Sequence, residues 1–194
     1  AGQPDFDTPE HIKEAAIKAI RDGFTKYTPA SGIKELKEAV CSKLLKDNAL
    51  EYTPANIVIS NGAKQCLVNA LMAICNPGDE VILPTPYWVS YPEMIKLADG
   101  VPVLLPTTEE SHFKFTVEEL EQKVTDRTRA VIINSPSNPT GMLYSHAELK
   151  KIGELAVEKG FYIISDEIYE KLIYEGVKHV SIAAISDEIK DHTI

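Results

Sequence analysis

The chain reads as an α/β protein built around a mostly parallel sheet, and three observations carry that reading. From position 57 onward, short apolar runs alternate with segments of helical period, the pattern of strands joined by crossover helices. The runs at 57–60, 80–84, 130–134 and 161–166 are nearly continuous in apolar residues, as strands covered on both faces are. Three of them close on a polar residue, Ser60, Asn134 and Asp166. That is the end at which open α/β sheets place their ligand crevices.

Composition narrows the function classes. With 194 residues, 44% hydrophobic and 25% charged, the chain is one large domain or a piece of a larger protein, with ample material for a core. A formal charge of −9 argues against a nucleic-acid or anionic-membrane surface, since both need a basic footprint. A local basic pocket for a phosphate stays open. Cys41, Cys66 and Cys75 have neither zinc nor redox-pair spacing and are expected as reduced core thiols. The histidines at 11, 112, 146, 179 and 192 are scattered, so surface roles are expected and no metal site. No apolar run approaches the ~20 residues of a membrane span and no leader peptide is visible, which makes the cytoplasm the expected compartment. The chain opens without an initiator Met and closes on His192-Thr193-Ile194, which suits the start of a new strand. Both ends are expected to be cuts through a larger fold.

In chain order, Thr8 is placed to cap a first helix with Pro9 at its first position, where the missing N–H costs nothing; the helix runs to about Asp22 and stops at Gly23. A second helix spans 31–46 with Leu36, Ala39, Val40 and Leu44 on one face. The buried strand expected at 57–60 turns at Asn61-Gly62 into a helix over 63–75. After the turn Pro77-Gly78-Asp79 come a strand at 80–84, a helix opened by Pro86-Tyr87-Trp88 and a strand at 101–105. Thr116 with Glu119, and Ser145 with Glu148, have capping-box spacing and start helices to about 124 and 159. The loop Ser135-Pro136-Ser137-Asn138-Pro139-Thr140-Gly141 follows the strand at 130–134, and the strand ending at Asp166 follows the last of these helices. Residues 1–56 hold only helix and loop and are expected to flank the sheet.

Four stretches can carry chemistry. Ser60-Asn61-Gly62-Ala63-Lys64 has the form of a strand-to-helix phosphate cradle, where free N–H groups and the helix dipole attract an anion; a plain tight turn is the other reading. Trp88, the only tryptophan, follows a strand exit and can stack on a planar ligand or simply pack, and Tyr87 and Tyr91 are expected to pack. Two prolines and Gly141 make a rigid loop that can hold the Asn138 amide toward the crevice; the alternative is an Asn bonded to its own backbone. Asp166 at a strand tip is costly to bury without a cation, unless it only caps a helix.

Taken together, cradle, aromatic plate, rigid Asn and Asp with Tyr three residues on suit a phosphorylated pyridine with a phenolic oxygen. The chain resembles the aminotransferase class I/II family of pyridoxal-phosphate enzymes, nearest its bacterial aspartate aminotransferase branch. The resemblance covers essentially the whole chain and rests on Ala1-Gly2-Gln3-Pro4-Asp5-Phe6, Lys26-Tyr27, Asn61-Gly62-Ala63-Lys64-Gln65, Pro86-Tyr87-Trp88-Val89-Ser90-Tyr91-Pro92, the loop from Asn134 to Gly141, and Ser165-Asp166-Glu167-Ile168-Tyr169.

The resemblance implies a three-layer sandwich, with residues 1–56 packing on the large domain and at a dimer interface, and 57–194 forming a cofactor-binding large domain. It implies that Asp166 keeps the pyridine nitrogen of pyridoxal 5'-phosphate protonated. Opposite charges ~4 Å apart at an effective dielectric of ~20 attract by about 4 kcal/mol, enough to keep the ring cationic at neutral pH. Asn138 and Tyr169 would bind the phenolic oxygen, Trp88 would stack on the ring, and Ala63 and Lys64 would hold the phosphate. Tyr27 would reach the phosphate in a partner subunit, so a homodimer is implied. Gly2 and Lys64, with Trp88 and Asn138, would meet the substrate, Lys64 favouring an acidic side chain. The substrates implied are amino acids and 2-oxo acids, with aspartate or glutamate first. The family's Schiff-base lysine has no counterpart among Lys171, Lys178 and Lys190, and Arg21, Arg127 and Arg129 do not match its carboxylate-binding arginine. The chain alone is therefore expected to be inactive. Aromatic, prephenate and diaminopimelate aminotransferases, carbon–sulfur lyases and a non-catalytic binding module remain alternatives. A hydrolase is disfavoured by the lack of a G-x-S-x-G elbow, and a dinucleotide-binding domain by the lack of a glycine fingerprint.

Overall fold

Four strands form a single sheet in the computed structural model, which describes residues 5–174 and 176–194. They are β1 (Glu80–Pro84), β2 (Val101–Leu105), β3 (Thr128–Asn134) and β4 (Tyr162–Asp166). Their order is β2-β1-β3-β4, and every pairing is parallel. The strands are linked by α4 (Tyr91–Leu97), α5 (Val117–Glu121) and α6 (His146–Lys159), while α1 (Glu10–Arg21), α2 (Lys34–Asn48) and α3 (Ala63–Ile74) precede the sheet and the short α7 (Asp187–Asp191) follows it.

Side-chain alternation divides the apolar strands between two cores. Val81, Leu83, Ala130, Ile132 and Ile164 face α3 and α4, where Leu67, Leu71, Tyr91, Met94 and Ile95 cover them. Ile82, Val131, Ile133 and Ile163 face the other way, under Leu149, Ile152 and Leu155 of α6 and Ile189 of α7. The sheet is thus the middle of three layers, as expected. Full burial of each such side chain contributes roughly 1.5–3 kcal/mol, so the two cores, not helix propensity, hold the short helices in place. Both capping boxes form, with Thr116 and Ser145 accepting from the N–H groups of Glu119 and Glu148.

Several local expectations are corrected. The 57–60 stretch forms no ladder with any described residue; Val58 is exposed, and the Ile59 N–H donates to the Ser31 carbonyl. Apolarity fits a strand there, but pairing needs a neighbour with a free edge. α1 starts at Glu10 with Pro9 in the cap position and no capping side chain; the Pro9 carbonyl accepts from the Ile12 and Lys13 N–H groups, and Thr8 is not the cap. α4 starts at Tyr91, leaving Trp88 in the preceding loop, and α5 ends at Glu121. The cysteines are free and lie less deep than expected: Cys66 is exposed, Cys41 is half-buried, and Cys75 is half-buried against the core under α3 and α4. On α3, Leu67 and Leu71 take the sheet-facing positions four apart, which turns Cys66 outward. The tail matches its reading: Thr193 bridges Ile163 in parallel, and the Ser165 N–H donates to the Ile194 carbonyl.

Candidate functional site

The chain leaves β1 for β2 on one side and later returns to β3 on the other side of β1. The loops after β1 and β3 therefore diverge, and a parallel sheet opens a crevice at such a switch point, at the carboxyl ends of its strands. Trp88 and Asn138 stand on those two loops, and Asp166 ends the adjacent β4.

Asn134 ties these strand ends together. Its Nδ2 donates to the Asp166 carbonyl at 3.0 Å, and its Oδ1 accepts from the Asn138 N–H at 2.7 Å. One carboxamide thus fixes the β4 terminus and the Asn138 loop. The loop closes on itself through the Gly141 N–H to the Ser137 carbonyl at 2.8 Å, with Gly141 at φ +72°. Asn138 Nδ2 lies 3.5 Å from the Tyr169 hydroxyl. That contact is long for a hydrogen bond, so both groups retain capacity for a shared third partner.

The half-buried Asp166 accepts from the Ile168 N–H at 3.2 Å through Oδ1 and from the Tyr91 hydroxyl at 2.7 Å through Oδ2. Tyr91 is buried, and its ring makes a T-shaped contact with Trp88, with centroids 5.5 Å apart and planes at 89°. The Lys64 ammonium sits 4.9 Å from the centroid of the same Trp88 ring. Lys64, Trp88, Tyr91 and Asp166 thus form one continuous row from the start of α3 to the end of β4. At that start Gly62 has φ +83° and an open position where a Cβ would stand, and no side chain caps the helix. The first N–H groups of α3, those of Ala63 and Lys64 included, have no intrahelical acceptor and are free for an anion.

Of the expected site residues, Lys64, Trp88 and Asp166 are linked in one row through Tyr91, Ala63 starts the helix that carries Lys64, and Asn138 and Tyr169 approach each other on segments that Asn134 joins to the Asp166 strand end. Tyr27 does not join them within this chain; it is fully exposed. Gly2 lies outside the described residues. Sequence reasoning missed two participants. Tyr91 packs, as expected, but its hydroxyl also donates to Asp166. Asn134 has its role only in three dimensions, and the signal that marks it is a polar residue closing an apolar strand.

A second polar cluster lies behind the turn. Glu167 accepts from Ser165 at 2.8 Å and Ser181 at 2.6 Å, and pairs with His179 Nε2 at 2.8 Å. Asn48 of α2 donates to Ser181 at 2.9 Å and Glu170 at 2.7 Å, and Lys43 pairs with Glu170. His179 is thus an exception to the expected surface roles, with a side chain only 9% exposed. Glu167, Glu170 and His179 offer donor atoms within 4.8 Å of one another, but Lys43, Asn48 and the two serines already engage the carboxylates.

Fold and site together give an α/β protein whose parallel sheet ends beside uncapped helix N–H groups, a half-buried tryptophan and a carboxylate held by two donors. The family model for aminotransferase class I and II matches residues 1–194, and the chain belongs to that family. It is 56% identical over 194 residues to an aspartate aminotransferase of Geobacillus stearothermophilus, covering all of this chain and 49% of that protein. It is 55% identical over 193 residues to a probable aspartate/prephenate aminotransferase of Aquifex aeolicus, with the same coverages. The aspartate aminotransferase of Thermus thermophilus solved with maleate superposes with a TM-score of 0.95 at 49% identity, over all of this chain and 50% of that one. The chain spans about half the length of the curated relatives it matches. Membership in the family implies pyridoxal phosphate. The donors present fit that group: uncapped N–H groups for a phosphate, a half-buried tryptophan for a ring face, and an Asn–Tyr pair with spare capacity for a phenolic oxygen.

Proposed function

We propose that this chain is the cofactor-binding half of an aspartate aminotransferase, with 57–194 as its large domain and 1–56 as a flanking and dimer-forming segment. The observation that carries the reading is the row Lys64–Trp88–Tyr91–Asp166 beside the Asn138–Tyr169 pair. When bound, pyridoxal phosphate supplies an electron sink for the carbanion left by loss of the substrate α-proton. Asp166 holds a proton on the ring nitrogen. Asn138 and Tyr169 bind the phenolic oxygen, Trp88 covers one ring face, and the Ala63 and Lys64 N–H groups bind the phosphate. Tyr27, exposed here, contributes to the phosphate site of a partner subunit. Gly2 and Lys64 bind the carboxylates of the amino-acid or 2-oxo-acid substrate. The protein works in the cytoplasm as a homodimer.

Catalysis also needs a lysine for the cofactor aldehyde and the α-proton. Lys171 is paired with Asp47, and Lys190 with the Glu51 carbonyl and the Tyr52 ring, which supports the reading that the 194 residues do not transaminate alone. Robust transamination by the chain itself would refute that part. For the site, titration with pyridoxamine phosphate, which needs no lysine, followed by Trp88 fluorescence is the test. Quenching that is saturable in the protein and weakened at least tenfold in Asp166→Ala supports the assignment; equal binding in both removes it. An aspartate/prephenate aminotransferase is the second reading, favoured by the Aquifex relative; with aspartate as the amino donor, prephenate and a simple 2-oxo acid as competing acceptors in the full-length enzyme separate the two.

A further inference from the structure

We propose that Tyr91 is a positioning residue of the cofactor site, holding the Asp166 carboxylate and the Trp88 ring in one fixed relation through its hydroxyl and its ring. The inference rests on the reading of the preceding section. Asp166 has one local donor, the Ile168 N–H at 3.2 Å, and one donor from another element, the Tyr91 hydroxyl at 2.7 Å. A carboxylate held by the local N–H alone can still turn about its side-chain bonds, whereas the second, shorter bond from α4 fixes the plane of the group. α4 itself is anchored, since Tyr91, Met94 and Ile95 are all buried against the sheet.

The same ring sets the plate. Trp88 lies in a loop, outside any helix or strand, and Tyr91 supplies an edge contact at 5.5 Å and 89°. Such pairs add about 0.5–1.5 kcal/mol beyond area burial. Burial, and then the charge of Asp166 and the hydrogen bond to it, keep the Tyr91 phenol far above its ordinary value, with a smaller push from Tyr169. The hydroxyl therefore remains a proton donor wherever the protein is folded. The titratable groups around it are Asp166 at the end of β4 and Tyr169 in the turn beyond, and Lys64 approaches Trp88 from the start of α3.

Tyr91→Phe tests this, because it keeps the ring and removes only the oxygen. Trp88 is the only tryptophan, so intrinsic fluorescence reports the plate directly. Titrations with pyridoxamine phosphate and with inorganic phosphate are followed at several pH values, together with the absorbance of the bound pyridine ring. In Tyr91→Phe, affinity for pyridoxamine phosphate should fall about tenfold, and the bound ring nitrogen should lose its proton about one pH unit lower. Inorganic phosphate, which uses only the cradle, should bind unchanged. Adding Tyr91→Phe to Asp166→Asn should then have little further effect, the coupling expected of two ends of one hydrogen bond. Unchanged pyridoxamine phosphate affinity and ring titration in Tyr91→Phe overturn the inference alone. Equal loss of both ligands also overturns it, by showing that Tyr91 only supports the fold. If the unsubstituted protein does not bind pyridoxamine phosphate, the proposed function falls and this inference with it.

Discussion

Asn134 is the smallest unit on which the crevice depends. Its carboxamide donates to β4 and accepts from the Asn138 loop, so Asn134→Ala leaves the Asp166 carbonyl with the Ser135 N–H alone and takes away the acceptor of the Asn138 N–H. Two lost hydrogen bonds at about 1 kcal/mol each predict a destabilisation of roughly 2 kcal/mol, read by urea unfolding, with weaker pyridoxamine phosphate binding alongside. Lys64 makes a separable prediction at this scale. Exposed cation–π contacts contribute about 0.5–1 kcal/mol, so Lys64→Gln should leave the melting temperature nearly unchanged. In the full-length enzyme it should raise KM for aspartate while sparing an aromatic donor. The sequence displayed Trp88, Asn138 and Asp166 openly, because each sits in a stretch whose composition is odd for a plain core. It could not display the Tyr91–Asp166 bond, which joins residues 75 positions apart and exists only once α4 lies on the sheet.

Among the elements, those written in local chemistry were legible. The capping boxes at Thr116 and Ser145 form as read, and Ser145→Ala should cost about 1 kcal/mol of stability, measurable by thermal or chemical unfolding. The 57–60 stretch misled because apolarity encodes burial and not pairing. Gly153 was equally opaque. It lies inside α6, and a Cβ there would meet three Ile189 side-chain atoms at 2.6–2.9 Å, so its smallness lets α6 and α7 approach. Helix propensity alone would favour Gly153→Ala by about 1 kcal/mol, but overpacking around buried Ile189 typically costs 1–3 kcal/mol. The expected net result is destabilisation, with Ile189→Val on top of Gly153→Ala recovering part of the loss. The reverse outcome, a more stable Gly153→Ala protein, would mean that the two helices can part without penalty.

For the molecule as a whole, class and layering were legible because continuous apolar strands between helices admit few arrangements. Strand order was not, since nothing local in β1 says that β2 and β3 flank it. The acid response also belongs to this scale. For Glu148 and Glu170 burial is the largest single influence and pushes upward, but the partners together outweigh it and hold both below their ordinary value of 4.5: Ser145 and Lys114 for the first, Lys43 and Asn48 for the second. The Asn76 N–H, with Arg129, does the same for Asp79. Carboxyls depressed by folding contribute stability that is complete above their unfolded values and is lost as pH falls through the folded ones. Melting temperature should therefore be flat near neutrality and drop on acidification past about pH 4.5. Lys43→Met should lower it at neutral pH and flatten its acid limb, and an unaltered acid limb would show that Glu170 is not part of the response.

The bridge between Ile163 and Thr193 has a consequence for the rim of the sheet. Ile163 and Ser165 give their N–H groups to the His192 and Ile194 carbonyls, and the Ile163 carbonyl takes the Ile194 N–H. The border of β4 that β3 leaves uncovered is therefore already occupied by the chain's own tail, and at Ile163 and Ser165 it offers no template on which a foreign strand could add.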